Sequence, residues 1–162
     1  MPLFQDIDQD LKSALGMAMG YLSLRERSIR EMNDYLSKKG FTDLVAEKVI
    51  ERLKEDNYLN DRRFAEIYLE NRKKNKPKSI FALSYELVHK GIEPSIIDEL
   101  LADYDNLELA FLAVKQKTRS WKHLERESRK KKMLNYLRYR GFNFSVCQAT
   151  WQRIFSSISK PD

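Results

Sequence analysis

The sequence predicts an all-α protein built as an elongated tandem array of three-helix repeats of about 50 residues. Gly40, Gly91 and Gly141 lie 51 and 50 residues apart, and each glycine follows a basic residue and precedes an apolar one. A fixed period of this length is typical of repeat architectures. The composition agrees, because a chain with 33% charged and 42% hydrophobic residues and only 5 Gly and 4 Pro resembles a helix-rich protein with an apolar core.

The first helix of each repeat is predicted by an apolar stripe that precedes the glycine. Two equivalent positions, four residues apart, carry Met32 with Leu36, Leu83 with Leu87, and Met133 with Leu137. Residues four apart lie on one face of a helix, so we expect all six to be buried. The glycine follows the helix end, where a left-handed conformation closes the last turn. In the third repeat Lys130 stands in the place of Ile29 and Ile80, and we expect its first helix to start later or to be more exposed.

Polar residues mark where the helices should begin. Ser28, with Glu31 three residues later, predicts a capping box at the start of the first repeat. The second helix of each repeat should start two residues after its glycine, at Thr42, Glu93 and Asn143. Pro94 then takes the favoured first helical position of the middle repeat.

The second helix carries its own apolar stripe, at spacings of three and four residues. In chain order it consists of Ala46, Val49 and Ile50, then Ile97, Leu100 and Leu101, then Cys147, Thr150 and Trp151. A third helix should start near Asn60 and near Asn106, with Phe64, Ala65 and Tyr68 on the buried side of the earlier copy. The third repeat ends before a third helix of its own.

These elements predict four segments. Residues 1–26 form a lead-in helix, residues 27–76 and 77–122 are complete repeats, and residues 123–162 are a truncated repeat. Leu11–Leu24 has the pattern of the last helix of an incomplete repeat. Repeats this small bury too little apolar surface to be stable singly, so we expect them to stack in a row. The alternative is one globular bundle.

The charge is unevenly distributed along the chain. Residues 1–70 carry 11 Lys and Arg against 14 Asp and Glu, whereas residues 119–162 carry 11 against 3. Such a basic third is expected where a protein meets phosphates or an acidic protein surface, although a solvated helix face would look the same. The cations that would bind nucleic acid or such an acidic surface form two clusters: Arg72, Lys73, Lys74, Lys76 and Lys78, and then Arg129, Lys130, Lys131, Lys132, Arg138 and Arg140. Tyr136 and Tyr139 lie among the second cluster and either stack on bases or pack within the helix.

Residues that would support catalysis, a cofactor or a metal are not arranged as such sites require. His89 and His123 are isolated, and Cys147 falls on a core position, so we interpret all three as structural. The sequence contains no glycine-rich phosphate loop and no Cys/His cluster with metal-ligand spacing. We expect neither an enzyme nor a cofactor. One Cys and an acidic, non-secretory N-terminus favour the cytoplasm, and the absence of a long apolar run favours a protein that does not enter a membrane.

Four short sequence runs occur together in this chain, and their combination is distinctive. They are YLSLRERS at 21–28, YLNDRRFAEIYLENR at 58–72, KGI at 90–92 and RGF at 140–142. Together, and over nearly the whole chain from residue 14 to 155, they resemble the RecX family of recombination regulators. The run at 58–72 is the most specific. The chain departs from the family at Lys76-Pro77, where the family commonly has Gly-Pro, and this departure affects the geometry of one loop.

The resemblance implies a regulatory protein that binds the RecA recombinase and its filament on single-stranded DNA, and we expect it to act as a monomer. It implies a modulator, mostly an inhibitor, of recombinase, ATPase and coprotease activity in DNA repair and the SOS response, with at most weak direct DNA binding. A stand-alone basic helical DNA-binding module is the alternative that the charge also permits. A peptide-binding solenoid is a third interpretation, but it would need a continuous apolar groove that the core positions leave no room for.

Overall fold

The computed structural model describes residues 4–158 and is all-α over that range. Its helices in chain order are α1 (Phe4–Leu24), α2 (Ile29–Lys38), α3 (Asp43–Glu55), α4 (Asp61–Asn75), α5 (Ile80–His89), α6 (Pro94–Leu101), α7 (Asn106–Lys115), a 3₁₀ turn (Thr118–Trp121), α8 (Arg126–Tyr139) and α9 (Phe144–Ile158). The predicted fold class is confirmed, and apart from the start of α8 the helices fall where the repeat pattern placed them.

The three periodic glycines end three helices in the same way. Gly40, Gly91 and Gly141 have φ values of 89°, 83° and 89°. In each case the amide after the glycine donates to a carbonyl five residues earlier, as from Phe41 to Leu36 at 3.2 Å. This is the closing hydrogen bond of a helix that ends in a left-handed residue. The six apolar residues of the preceding stripe are all buried, as predicted.

The predicted helix starts are also present. Ser28 Oγ accepts from the Glu31 amide at 3.1 Å while the Glu31 carboxylate accepts from the Ser28 amide at 3.0 Å, which completes the capping box. Thr42 and Asn143 accept the corresponding hydrogen bonds at α3 and α9. In the second helix of each repeat the predicted stripe is buried, except that Leu100 is half-buried.

A second hydrogen bond recurs at the start of the first helix of a repeat. The first amide of α2, on Ile29, donates to Asp61 Oδ1 at 2.9 Å, and the first amide of α5, on Ile80, donates to Asn106 Oδ1 at 2.9 Å. Both acceptors lie at the start of the third helix of the same repeat. Each of the first two repeats therefore holds its first helix with a side chain from its third.

The expectation for the third repeat was wrong. Lys130 is the fifth residue of α8, because that helix begins at Arg126, four residues earlier than the equivalents of Ile29 and Ile80. Lys130 is half-buried, as are the two isoleucines. A helix can begin earlier here because residues 126–128 are exposed, and Arg129 stands where the first repeat has its capping residue Ser28.

The described chain divides into two compact units. The first comprises the chain up to Glu66 together with Leu87–Ile96, and the second comprises Ile67–Glu86 together with the chain from Ile97 onward. In the first unit α1 packs against α2 and α3. Its buried core consists of Ala14, Ala18, Met32, Leu36, Val45, Ala46, Val49, Ile50, Leu53 and Leu59. In the second unit α7, α8 and α9 pack together. The segment boundaries at residues 26, 76 and 122 remain a prediction of repeat phase.

Candidate nucleic-acid and filament interface

All eleven cations that the sequence singled out belong to the second unit. That unit carries 18 Lys and Arg against 10 Asp and Glu, whereas the first unit carries an excess of acids. A basic unit of this kind attracts phosphates or acidic protein surfaces over several ångströms. Which cations are available depends on the partners that each one already has.

In the first cluster, Arg72 and Lys78 are engaged inside the unit by one carboxylate. Arg72 Nε lies 3.0 Å from Glu86 Oε2, Lys78 pairs with Glu86 Oε1, and the Tyr68 hydroxyl donates to Glu86 at 2.7 Å. Burial alone would raise the pKa of Glu86, but the hydrogen bonds from Lys78 and Tyr68 lower it below its ordinary value. This half-buried network joins α4 to α5. Lys73, Lys74 and Lys76 are left exposed beside it.

In the second cluster, Arg129 has a structural role. Its Nη2 donates to the carbonyls of Lys122 and Leu124 at 3.1 and 3.0 Å, so the guanidinium closes the turn that leads into α8. Lys131, Lys132 and Arg138 are exposed, and Lys130 is half-buried. Lys131, Lys132 and Arg138 are therefore the cations of this cluster that are most accessible to a binding partner.

The two clusters come together in space. A cavity of about 450 Å³ is lined by Lys76 and Lys78 from the first cluster and by Asn135, Tyr136, Tyr139 and Arg140 from α8 and its end. The Ser79 amide donates to the Arg140 carbonyl at 3.1 Å and holds the start of α5 against the end of α8. Gly141 permits this approach, because a Cβ there would lie 2.5 Å from Ser79 Oγ.

Arg140 is oriented by its neighbours towards this cavity. Its guanidinium carbon lies 4.3 Å from the centre of the Tyr136 ring, a cation–π distance. Its Nη1 is buried and has no hydrogen-bond partner among the described residues. The Tyr136 hydroxyl donates to the Ala113 carbonyl at 3.3 Å and the ring meets Trp121 edge-on, so this half-buried tyrosine is held by packing within the unit. Of the two tyrosines in the run, Tyr139 is the fully exposed one.

A neighbouring cavity of about 400 Å³ adds aromatic residues that the sequence analysis missed. Phe81, Tyr85 and Tyr139 line it together with Arg138 and Arg140. The signal was present in the repeat alignment, since Phe81 and Tyr85 are exposed positions where the other repeats have charged or polar residues. The basic surface of the second unit is therefore also aromatic.

The first of the four distinctive runs stabilises the first unit. The Tyr21 ring stacks on the Tyr35 ring with centres 4.1 Å apart. The Arg27 guanidinium carbon lies 3.7 Å from the centre of the Tyr21 ring, and Arg27 Nε donates a hydrogen bond to the Tyr21 carbonyl. Arg63, from the second run, pairs with Glu26 at 3.2 Å. These residue types are needed for packing at the junctions of α1, α2 and α4.

The described residues give little support for nucleophilic or metal chemistry. Cys147 is buried, and burial raises the pKa of its thiol, which makes it a poor nucleophile. Within residues 4–158 no group of His, Cys, Asp and Glu is arranged to hold a metal ion. None of the helices over the same range has the length and apolar character needed to cross a membrane.

The similarities to known proteins follow the same repeats. Residues 14–53 match the family model described as RecX, first three-helix domain, and residues 60–101 match the one described as RecX, second three-helix domain. The Regulatory protein RecX of Prosthecochloris aestuarii is 35% identical over 150 residues, which cover 93% of this chain and 99% of that protein. The chain belongs to the RecX family.

Other RecX proteins extend the similarity. The Regulatory protein RecX of Bacillus licheniformis is 34% identical over 146 residues, covering 88% of this chain and 56% of that longer protein. The crystal structure of RecX from Lactobacillus salivarius has the same fold, with a TM-score of 0.73 at 20% identity, over 92% of this chain and 99% of that one. The resemblance seen in the four sequence runs is thus confirmed, and the relatives are regulatory proteins by name.

Proposed function

We propose that this RecX-family chain is a regulator of the RecA recombinase. It binds RecA and RecA filaments on single-stranded DNA, and it modulates, mostly by inhibition, their recombinase, ATPase and coprotease activities in DNA repair and the SOS response. It works in the cytoplasm as a monomer and without catalysing a reaction itself. Family membership supports the regulatory role, and the site adds a physical reason for the partner.

The observation that carries this proposal is the joining of two cation clusters on one unit. Lys76 from one cluster and Arg140 from the other line the same cavity, and exposed lysines continue the basic surface along α8. A filament is a polyanion coated with repeating protein subunits, so a basic surface gains electrostatic attraction to both components. The remaining unit is acidic overall and supplies no such attraction.

A stand-alone DNA-binding module is the second candidate, and the exposed aromatic residues beside the cations favour it. The two functions differ in what they require. A DNA-binding module binds DNA without RecA and loses affinity steeply as salt rises. A RecA regulator binds the filament more tightly than naked single-stranded DNA at physiological salt.

Purified protein added to RecA on single-stranded DNA is expected to inhibit strand exchange and RecA ATP turnover, and to hydrolyse no ATP when RecA is absent. The physical reason is occupation of the filament by a protein that has no phosphate loop of its own. Steady-state ATPase and strand-exchange assays measure both effects. Unchanged RecA activity at a several-fold excess over filament subunits would refute the proposed function, even though the fold is established.

Replacing Lys130, Lys131 and Lys132 together by Ala is expected to weaken filament binding and to flatten its dependence on salt. Each phosphate contact removed lowers the slope of log K against log salt by about 0.7 to 0.9. Because surface substitutions usually change the free energy of unfolding by less than about 0.5 kcal/mol, the fold should persist. Titrations at low and physiological salt measure the effect.

The matched control replaces three exposed lysines of the acidic first unit, Lys12, Lys38 and Lys48, by Ala. It removes the same formal charge and should leave filament binding close to wild type. If both triple variants bind alike, the loss reflects net charge, and the run in α8 is a solvated face.

A further inference from the structure

We propose that Glu86 is an internal competitor for anions: its carboxylate holds Arg72 and Lys78, and it thereby weakens the binding of phosphate chains to the basic surface of the second unit. The inference rests on the proposed function, because it assigns a regulatory contact to the same cation clusters. Arg72 lies on α4, Lys78 in the turn before α5, and Glu86 on α5. All three belong to the second unit.

Both oxygens of the Glu86 carboxylate are occupied by cations. Arg72 Nε lies 3.0 Å from Glu86 Oε2, and Lys78 pairs with Glu86 Oε1. The Tyr68 hydroxyl donates a further hydrogen bond to Oε2 at 2.7 Å. The Glu86 side chain is only 18% exposed, and hydrogen bonds between charged groups at a partly buried site are strong and poorly screened by salt. A phosphate must therefore displace Glu86 before it can bind Lys78 directly.

The Glu86 carboxylate lies on the surface where a phosphate chain would bind. With Lys78, Arg138 and Arg140 it lines the cavity of about 400 Å³, and Lys78 also lines the adjoining cavity of about 450 Å³. Burial alone would raise the pKa of Glu86, but hydrogen bonds from Lys78 and Tyr68 lower it, so the carboxylate is ionised at neutral pH. Glu86 thus opposes an approaching phosphate twice, because it repels the phosphate charge and occupies the ammonium that would neutralise that charge.

The repeat fold does not require an ion-pair network at these positions. The three positions lie 19, 13 and 5 residues before Gly91, and the first repeat has at the same distances before its glycine Tyr21, Arg27 and Tyr35. The two tyrosine rings stack there with centres 4.1 Å apart, and the Arg27 guanidinium carbon lies 3.7 Å from the centre of the Tyr21 ring. That arrangement joins adjacent helices with one cation and no carboxylate. The second repeat instead has two cations together with the carboxylate that holds them.

A purely structural network would also join α4 to α5, but the two interpretations differ in the sign of their effect on binding. If Glu86 only stabilises the fold, its removal leaves the affinity for anions unchanged or lowers it through partial unfolding. If Glu86 competes for the cations, its removal raises that affinity, because Lys78 and Arg72 become available to phosphates.

The first measurement compares Glu86→Gln with the wild type on end-labelled, long-chain inorganic polyphosphate, a polyanion that contains neither bases nor protein. We expect the variant to bind roughly threefold to tenfold more tightly at low salt, with a steeper slope of log K against log salt, because the freed cations release more counterions. Fluorescence anisotropy with the full chain at several salt concentrations measures both quantities.

Glu127→Gln is the matched control for net charge. Glu127 is an exposed residue of α8 in the same unit, and it lies outside both cavities. We expect this variant to gain clearly less affinity than Glu86→Gln. Wild-type affinity in folded Glu86→Gln, or an equal gain in Glu127→Gln, would overturn the proposal.

The second measurement tests whether Lys78 contributes more to binding once Glu86 is removed. The loss of polyphosphate affinity on Lys78→Ala should be larger by about threefold or more in the Glu86→Gln background than in the wild type. Net charge alone predicts the same loss in both backgrounds, because each substitution removes one positive charge. Equal losses would therefore contradict competition between Glu86 and the phosphate for Lys78.

Circular dichroism and urea unfolding establish which variants are folded. If Glu86→Gln does not fold, Glu86→Asp takes its place in the first measurement. This variant keeps the charge but shortens the side chain by one methylene, so its carboxylate holds the two cations less closely and the affinity for polyphosphate should rise. Wild-type affinity in folded Glu86→Asp would then count decisively against the proposal.

RecA filaments separate this inference from the proposed function. If Glu86→Gln binds polyphosphate more tightly while neither protein changes RecA activity, the competition by Glu86 stands and the regulatory function fails. If the wild type inhibits RecA but folded Glu86→Gln binds polyphosphate no more tightly, the regulatory function stands and the inference fails.

Discussion

Gly141→Ala is expected to lower the free energy of unfolding by roughly 2 to 5 kcal/mol. The φ value of 89° at Gly141 strains any residue with a Cβ, by about 1 to 2 kcal/mol. The new Cβ would also lie 2.5 Å from Ser79 Oγ and 3.0 Å from Ala82 Cβ. Overpacking of this kind costs about 1 to 3 kcal/mol more. Urea unfolding followed by circular dichroism measures the sum.

Gly40→Ala separates strain from crowding. Its φ value is also 89°, but no atom lies within 4 Å of the position that a Cβ would take. We expect this variant to lose only about 1 to 2 kcal/mol. Equal losses in the two variants would mean that α5 withdraws from the end of α8 at no cost, contrary to the close approach described here.

Glu31→Gln is expected to lower the free energy of unfolding at neutral pH by roughly 2 to 3 kcal/mol. Burial alone would raise the pKa of Glu31, but hydrogen bonds from Arg25, Lys90 and the Ser28 amide lower it to about 2. The distances are 2.9 Å to Arg25, 2.7 Å to Lys90 and 3.0 Å to the amide. A neutral amide keeps the shape but loses the attraction to two cations.

The pH dependence has a definite sign. The pKa of Glu31 is lower in the folded chain than its ordinary value of 4.5, so ionised Glu31 contributes its full stabilisation above about pH 4.5. That contribution is lost as the pH falls from about 4.5 towards 2. The difference in stability between wild type and Glu31→Gln should therefore shrink over this range. Glu47→Gln, at an exposed position of α3, is the control, and a constant difference for Glu31→Gln would contradict the assignment.

The repeat could be predicted from the sequence because its signals are local. A glycine after an apolar stripe, and a serine three residues before a glutamate, each specify one helix end through contacts within a few residues. Leu36, Leu87 and Leu137 are buried for the same reason in all three copies. The predicted start of α8 is wrong because the prediction compares Lys130 with Ile29 and Ile80. Nothing at Lys130 ends a helix that begins at Arg126.

The candidate site was only partly predictable. The two cation clusters were visible as runs, but their partners were not, because Arg72 and Glu86 meet only when α4 packs against α5. Phe81 and Tyr85 are not predicted as site residues for a different reason. The positions that the repeats share are core positions, whereas these two aromatic residues stand at positions where the other repeats have polar or charged residues. Only the packed structure shows that they lie beside Tyr139.

The two compact units interleave along the chain, and this has a consequence for synthesis and truncation. The first unit needs Leu87–Ile96, including Lys90, whose ammonium pairs with Glu31 at 2.7 Å. A nascent chain that has emerged only as far as Glu66 therefore lacks part of that unit, which reaches its full stability after the segment behind it has left the ribosome. For the same reason no single cleavage separates the units, and expression of either one alone requires a joined, discontinuous sequence.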